Sequence, residues 1–292
     1  MFCRTDLAIE AVADTEKLTA EDVEKKHTSL GDMDVTRLQV RSERGEQALG
    51  KPRGIYITAQ MPPLSDDERR LTEHAQRIGT ELSTLLPETG TVLVVGLGNR
   101  TVTPDTLGPA TADMVLATRH IRGEFARTAG LTDLRPTAVL TPGVLGQTGT
   151  ESSEIVRGVC REIQPAAVLV IDALAARSVE RLGRTVQLCD TGIAPGSGVG
   201  NNRHPLNEEV LGVPVIGMGV PTVVDAVTLV RELSPAPNTA EHPASPEALM
   251  MVTPREIDIV ISRAARLMAM AIHAALQPAY SPAELVAVAR GI

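Results

Sequence analysis

Two short runs, Val92-Leu-Val-Val95 and Val168-Leu-Val-Ile171, are apolar at every position. A strand that faces solvent on one side alternates apolar and polar residues. An unbroken run therefore marks a strand covered on both faces, the environment of a parallel sheet between helix layers. Aromatic residues make up 1% of the chain, so the core must be built from Val, Leu, Ile, Ala and Met. Strand patterns at 92–97, 137–141, 167–171, 185–189 and 213–217 alternate with helical patterns near 108–121, 152–163 and 221–233. That alternation predicts βαβ units and an α/β fold, a mostly parallel sheet flanked by helices on both faces.

Residues 1–50 are polar, with charge clusters such as Glu21-Asp-Val-Glu-Lys-Lys26 and weak alternation near Val35–Val40, and read as an N-terminal extension. A short strand is expected at 54–58. Capping boxes at Ser65-Asp-Asp-Glu68, Thr253-Pro-Arg-Glu256 and Ser281-Pro-Ala-Glu284 predict helix starts, the first helix running to about Leu86. Pro221, favoured at a first helical position, is expected to open the helix over 221–233. The Pro-rich stretch 234–246 reads as a surface loop, and the C-terminal part as helical.

A net charge of −8, from 28 basic and 36 acidic residues, comes without any Lys/Arg stripe interleaved with aromatics, which argues against direct nucleic-acid binding. Cys3, Cys160 and Cys189 are an odd number with no C-x-x-C spacing, which argues against a disulfide framework or zinc knuckle and fits a reducing cytoplasm. No basic leader precedes a long apolar stretch, and no segment approaches the roughly 20 apolar residues of a membrane span, so a soluble protein is expected.

Both apolar runs lead into an aspartate: Asp105 after Val92-Leu-Val-Val-Gly-Leu-Gly98 and Thr103-Pro-Asp105, and Asp172 directly after Ile171. Ligands of open α/β sheets gather at the carboxyl ends of strands, and a carboxylate after four buried residues pays desolvation unless it is paired or needed. Asp105 by itself equally suits a turn or helix cap after Pro104. Gly96-Leu-Gly98 lacks the third glycine of a dinucleotide fingerprint, because Thr101 stands there, and reads as a tight turn. Asp190-Thr-Gly192 matches the loop of pepsin-like proteases, but occurs once and reads as structural. The six histidines show no metal spacing, and His204 is the one kept as a candidate. Cys160 and Cys189 read as buried inert thiols, and Ser197 in Gly196-Ser-Gly198 has no evident base.

Several ordered blocks together resemble the germination protease family of endospore-forming bacteria. They include Arg4-Thr-Asp-Leu-Ala-Ile-Glu10, Gly50-Lys-Pro-Arg-Gly-Ile-Tyr-Ile-Thr58, Val95-Gly-Leu-Gly-Asn99 with Val102-Thr-Pro-Asp105, and Val170-Ile-Asp-Ala-Leu-Ala-Ala-Arg177. Pro195-Gly-Ser-Gly-Val-Gly-Asn201, Gly219-Val-Pro-Thr-Val-Val-Asp225 and Val252-Thr-Pro-Arg-Glu-Ile-Asp258 continue the match. The resemblance implies a fold like that of hydrogenase maturation proteases, a homotetramer, and Asp105 and Asp172 as catalytic residues. It also implies a zymogen that degrades small acid-soluble spore proteins in the forespore or spore-core cytoplasm, with no cofactor. Thr5-Asp-Leu-Ala-Ile-Glu10 follows the pattern Thr-Glu-Phe-Ala-Ser-Glu, in which family substrates are cut after the first acid. The processing site would then be Asp6–Leu7, with 1–6 as pro-segment and 7–292 as a single peptidase domain. A metal-dependent maturation-type endopeptidase and a non-catalytic binding module on the same sheet are the alternatives.

Overall fold

The computed structural model describes residues 5–12, 18–66, 68–121, 123–128, 131, 133–196, 204–233 and 250–291. Among the described residues, nine strands form one sheet: β1 (Val23–Leu30), β2 (Met33–Val40), β3 (Gly54–Gln60), β4 (Val92–Gly96), β5 (Thr137–Leu140), β6 (Ala167–Ala176), β7 (Thr185–Cys189), β8 (Val215–Asp225) and β9 (Met251–Val252). Their order is β1-β2-β3-β7-β8-β6-β4-β5, with β9 on β8. The stretch β8-β6-β4-β5 is parallel and carries the unbroken apolar runs; β7, β3, β2 and β1 join antiparallel. The fold is thus the expected α/β sheet flanked by helices, but mixed where a mostly parallel one was expected: the β8-β6-β4-β5 half is parallel, and the half from β7 to the β1 edge is antiparallel even though β7 is fully buried.

That antiparallel edge explains why residues 1–50 gave a weak signal. β1 and β2 form a hairpin through Gly31 and Asp32, with Gly31 at φ +72. β1 is the exposed edge and β2 buries Met33, Val35, Leu38 and Val40, so only β2 shows alternation.

One face of the sheet buries Ala167, Leu169, Ile171, Leu188 and Met218 under the helices Leu71–Ser83 and Ile257–Leu276. These two helices pack closely at Gly79, where an added Cβ would lie 2.8 Å from the Ala271 carbonyl oxygen. At 20 residues, Ile257–Leu276 has the length and apolar composition of a membrane span, which corrects the expectation that no segment comes near one. It is mostly buried as the core helix of this face. On the opposite face, the helix Ser152–Ile163 covers Leu93, Val95, Val168 and Val170 with Val156 and Cys160. The rest of that face is covered by the N-terminal segment, Leu7 packing on Leu174, Ala176 and Val224, and Ala8 on Leu38, Tyr56 and Cys189.

Several boundaries differ from the sequence expectation. Strand β8 continues through Pro221 to Asp225, and the helix begins only at Ala226. Pro221 pairs with Leu174 immediately before a register shift that leaves Thr222 of β8 without a partner on β6, an irregular point of the ladder at which proline is tolerated. The helix expected to reach residue 121 ends at Ala112. Ser65 turns its hydroxyl to Asp66, and Glu68 reaches Arg263 at 2.8 Å, so neither caps and the helix starts at Leu71. The Thr253 hydroxyl likewise donates to the Thr222 carbonyl, and that helix starts at Ile257. Ser281 and Pro282 do open the last helix, at its N-cap and first position. The 234–246 loop and Ser197 lie outside the described residues.

Candidate active site

Strand β6 does not stop at Asp172; it carries this carboxylate in its interior, 6% exposed, and runs on to Ala176. Asp172 pairs with Gly219 on β8, and Gly219 pairs on its other side with Gln187 on β7. Residues paired across neighbouring strands project from the same face. Asp172 and Gln187 therefore look at each other over a position with no side chain. The next position along, Gly217, is paired with Cys189 and is equally bare. Those missing side chains leave a cavity of about 420 Å3 on this face, lined by Asp172, Gln187 and Cys189, with Lys51, Thr5 and Asp6 closing it from outside.

The N-terminal segment reaches this cavity alongside the end of β6. The Asp6 N–H donates to the Ala175 carbonyl (3.0 Å), and the Ala175 N–H donates to the Asp6 carboxylate (2.8 Å). The Asp6 carbonyl oxygen accepts from Gln187 Nε2 (2.9 Å) and Lys51 Nζ (3.1 Å), and Lys51 also reaches the Thr5 carbonyl (3.0 Å). One residue beyond the next peptide, the Ala8 N–H donates to Gln187 Oε1 (2.7 Å). Leu7 between them is fully buried. Glu10 is held by the Arg177 N–H (2.8 Å), by the hydroxyl of Thr5, and through its carbonyl by the Arg177 guanidinium. Thr5, Asp6, Leu7, Ala8 and Glu10, five of the six positions of the Thr5–Glu10 pattern, each have a contact fitted to their chemistry.

Asp105 arrives by a different route. After β4 the chain passes through Gly98, at φ +126, and a 3-10 turn Thr103–Asp105 folds back over it. An added Cβ on Gly98 would lie 1.9 Å from the Asp105 carbonyl oxygen. The Asp105 carboxylate accepts from the Asn99 N–H (2.8 Å). Gly108 makes the other close approach, facing the carbonyl oxygens of Leu97 (2.1 Å) and Ile171 (2.6 Å) from its Cβ position. The Leu97 N–H donates to the Ile171 carbonyl (2.8 Å), which ties the end of β4 to β6 one residue before Asp172. Both aspartates therefore lie at the carboxyl end of the β4–β6 pair, but Asp172 lines the cavity and Asp105, on the turn after β4, is not part of its lining. The Gly96-Leu-Gly98 pattern is explained by this packing of turn on strand.

The remaining candidates have structural settings. Asp190 accepts the Ile55 N–H (2.7 Å) at the start of β3, and burial raises its pKa above the ordinary carboxylate value. Cys189 is buried, donates to the Gly192 carbonyl and has its thiol pushed up by burial; burial likewise raises Cys160. His204 is exposed and lies outside the cavity lining. Among the described residues, no group of three or more His, Cys, Asp or Glu is gathered as a metal would need. Sequence reading passed over Lys51 and Gln187. The available signal was Gln187 itself, an amide inside the otherwise fully buried strand Thr185–Cys189.

Asp172 and Asp6 line one cavity, the Asp172 carboxylate accepting the Ala173 N–H at 2.9 Å, and the comparisons name the class as peptidase. The family model described as germination protease matches residues 4–233. The chain is 40% identical to the germination protease of Caldanaerobacter subterraneus subsp. tengcongensis, over 97% of this chain and 96% of that protein. It is 38% identical to that of Clostridium tetani, over 96% and 97% respectively. Among solved structures, a hydrogenase maturation protease from Thermococcus kodakarensis aligns with 66% of this chain and 98% of its own, at 17% identity and a TM-score of 0.37. The chain belongs to the germination protease family and is a protease of spore germination.

Proposed function

We propose that the chain is a self-processing endopeptidase that starts the degradation of small acid-soluble spore proteins, cutting its own Asp6–Leu7 bond and using Asp105 and Asp172 to activate water. The observation that carries this reading is that Asp6 lines the same cavity as Asp172, with its carbonyl oxygen hydrogen-bonded from two sides. In this reading one carboxyl of the pair is ionised to take a proton from water and the other is protonated to polarise the carbonyl, the division of labour of two carboxyls that share one site. Substrates carrying Thr-Glu-Phe-Ala-Ser-Glu fit the same contacts: an acid at the Ala175 N–H, an apolar side chain in the Leu7 pocket, and a second acid at Arg177. The working assembly is a homotetramer in the cytoplasm of the forespore or spore core.

The test is incubation of the purified chain at mildly acidic pH, followed by N-terminal sequencing. A new terminus at Leu7 is expected, and it should be lost in Asp105→Asn and in Asp172→Asn. Full activity in either variant refutes the aspartate pair. Loss of cleavage on chelation, restored by one divalent metal, would transfer the reading to a metal-dependent endopeptidase.

A further inference from the structure

We propose that Lys51 and Gln187 are catalytic residues, a two-donor clamp that holds the carbonyl oxygen of the bond being cut and stabilises the negative charge it acquires. This rests on reading Asp6–Leu7 as the scissile bond. Two side chains converge on that carbonyl: Gln187 Nε2 at 2.9 Å and Lys51 Nζ at 3.1 Å both address the Asp6 oxygen, Lys51 sharing its ammonium with the Thr5 carbonyl at 3.0 Å. The Gln187 amide also straddles the bond, because its Oε1 accepts the Ala8 N–H at 2.7 Å. Leu7 and its amide nitrogen are thereby fixed between two contacts of a single side chain. Across the bare position of Gly219 stands Asp172, so Gln187 and the carboxylate belong to one cross-strand row, while Lys51 reaches the carbonyl from the segment before β3.

The clamp is well placed to act. Gln187 is 6% exposed, and its strand is buried along its whole length, so the amide cannot swing to water. Burial pushes the Lys51 ammonium down from its ordinary pKa, while the charge of Asp6 opposes the shift. A donor in such surroundings interacts more strongly with developing charge than it would in water, and it is already oriented before reaction.

The chemistry balances as follows. Water adds its oxygen to the Asp6 carbonyl carbon and gives one proton to the ionised carboxylate of the aspartate pair. The carbonyl electron pair moves onto oxygen, where Lys51 and Gln187 receive the charge. As the carbonyl re-forms, the carbon–nitrogen bond breaks and the Leu7 nitrogen takes up the proton to leave as an amine. One water is consumed, and Asp6 ends as a carboxylic acid. Thr5 and Asp6 are then no longer tethered, and Lys51 is left open to the corresponding carbonyl of a second chain.

The experiment measures the first-order rate at which the full chain acquires a Leu7 terminus, by mass spectrometry, across pH. Lys51→Met and Gln187→Glu are each expected to slow release roughly 10²- to 10³-fold at neutral pH, the loss known for a single oxyanion donor. Gln187→Glu preserves the acceptor for Ala8 and reverses only the donor. Its rate relative to wild type should therefore recover as pH falls and the introduced carboxylate regains an O–H, a recovery that a purely structural role does not give. If Lys51→Met fails to fold by circular dichroism, Gln187→Glu decides alone. Wild-type cleavage at Leu7 with folded variants within threefold of it overturns the clamp but leaves the bond assignment standing. Absence of a Leu7 terminus from the wild-type chain overturns the bond assignment, and the clamp with it.

Discussion

Gly98→Ala is the substitution that separates the position of Asp105 from its chemistry. A Cβ at this residue would stand 1.9 Å from the Asp105 carbonyl oxygen, whereas real Cβ contacts stay beyond 3.0 Å, so the Thr103–Asp105 turn must retreat by about 1.1 Å. The carboxylate is carried on that turn, so the retreat pulls it away from the Asn99 N–H that holds it on the Gly98 side. A misplacement of about 1 Å at a reacting group costs on the order of 10²-fold in rate. Holding alanine at φ +126 adds about 1–3 kcal/mol of backbone strain, small enough for the sheet to remain folded. Gly212→Ala is the control. It has φ +73 and nothing within 4 Å of its Cβ, so it carries strain without displacement. The assay is the rate of Leu7-terminus formation together with urea denaturation. Gly98→Ala should lose about 10²-fold in rate while Gly212→Ala keeps the wild-type rate at a comparable loss of stability. A folded Gly98→Ala that cleaves as wild type refutes a catalytic role for Asp105.

Leu7→Ala empties the pocket between Leu174, Ala176 and Val224 and should weaken docking of the N-terminal segment by about 2–3 kcal/mol. Hydrogen exchange at the Ala8 amide should then be about 30- to 150-fold faster, and unchanged protection would contradict the docked geometry. His273 is buried with Nε2 3.1 Å from the Met114 carbonyl, and burial lowers its pKa to about 4. Because the folded value is depressed, its contribution is complete above about pH 6.5 and is lost as pH falls towards 4, up to about 3 kcal/mol in all. Urea midpoints should fall over that window, and the fall should be shallower in His273→Gln; equal slopes would refute the assignment. Asp190→Ala should cost about 1 kcal/mol through the orphaned Ile55 N–H, yet leave the cleavage rate of the folded protein unchanged; a lost rate would reinstate Asp190 as a site residue.

What could be read from the chain before its structure was the part governed by local pattern. The runs at Val92 and Val168 announced buried parallel strands because burial on both faces removes alternation, and β4 and β6 are such strands. The β1–β2 hairpin stayed hidden because an exposed edge strand has no apolar pattern to show. Pro221 misled for a physical reason as well: its fixed φ suits a first helical turn and a strand with a register shift alike, and only the partner strand β6 decides between them. The capping boxes at Ser65 and Thr253 failed because their side chains found partners elsewhere in the sequence or fold, Asp66 and the Thr222 carbonyl.

The site divides in the same manner. Asp105 and Asp172 could be singled out because each follows an apolar run within its own segment. Lys51 and Gln187 could not, since their meaning comes from a row that spans β7, β8 and β6 and from a segment more than 40 residues upstream of Lys51 and 170 upstream of Gln187. The glycines at 217 and 219 are the link between the two halves. In a strand they weaken packing and contribute no β-propensity, so local reasoning counts them as faults. With Gly219 between Asp172 and Gln187 and Gly217 between Val170 and Cys189, the same bare positions leave the cavity that Asp6 also lines. A bulky residue at 219 would collide with the Asp172 carbonyl, 2.5 Å from its Cβ position, and with Leu174, closing the cavity from within. The glycines that make β8 a poor strand by propensity are therefore what allows a buried sheet to keep an open cavity on its own face.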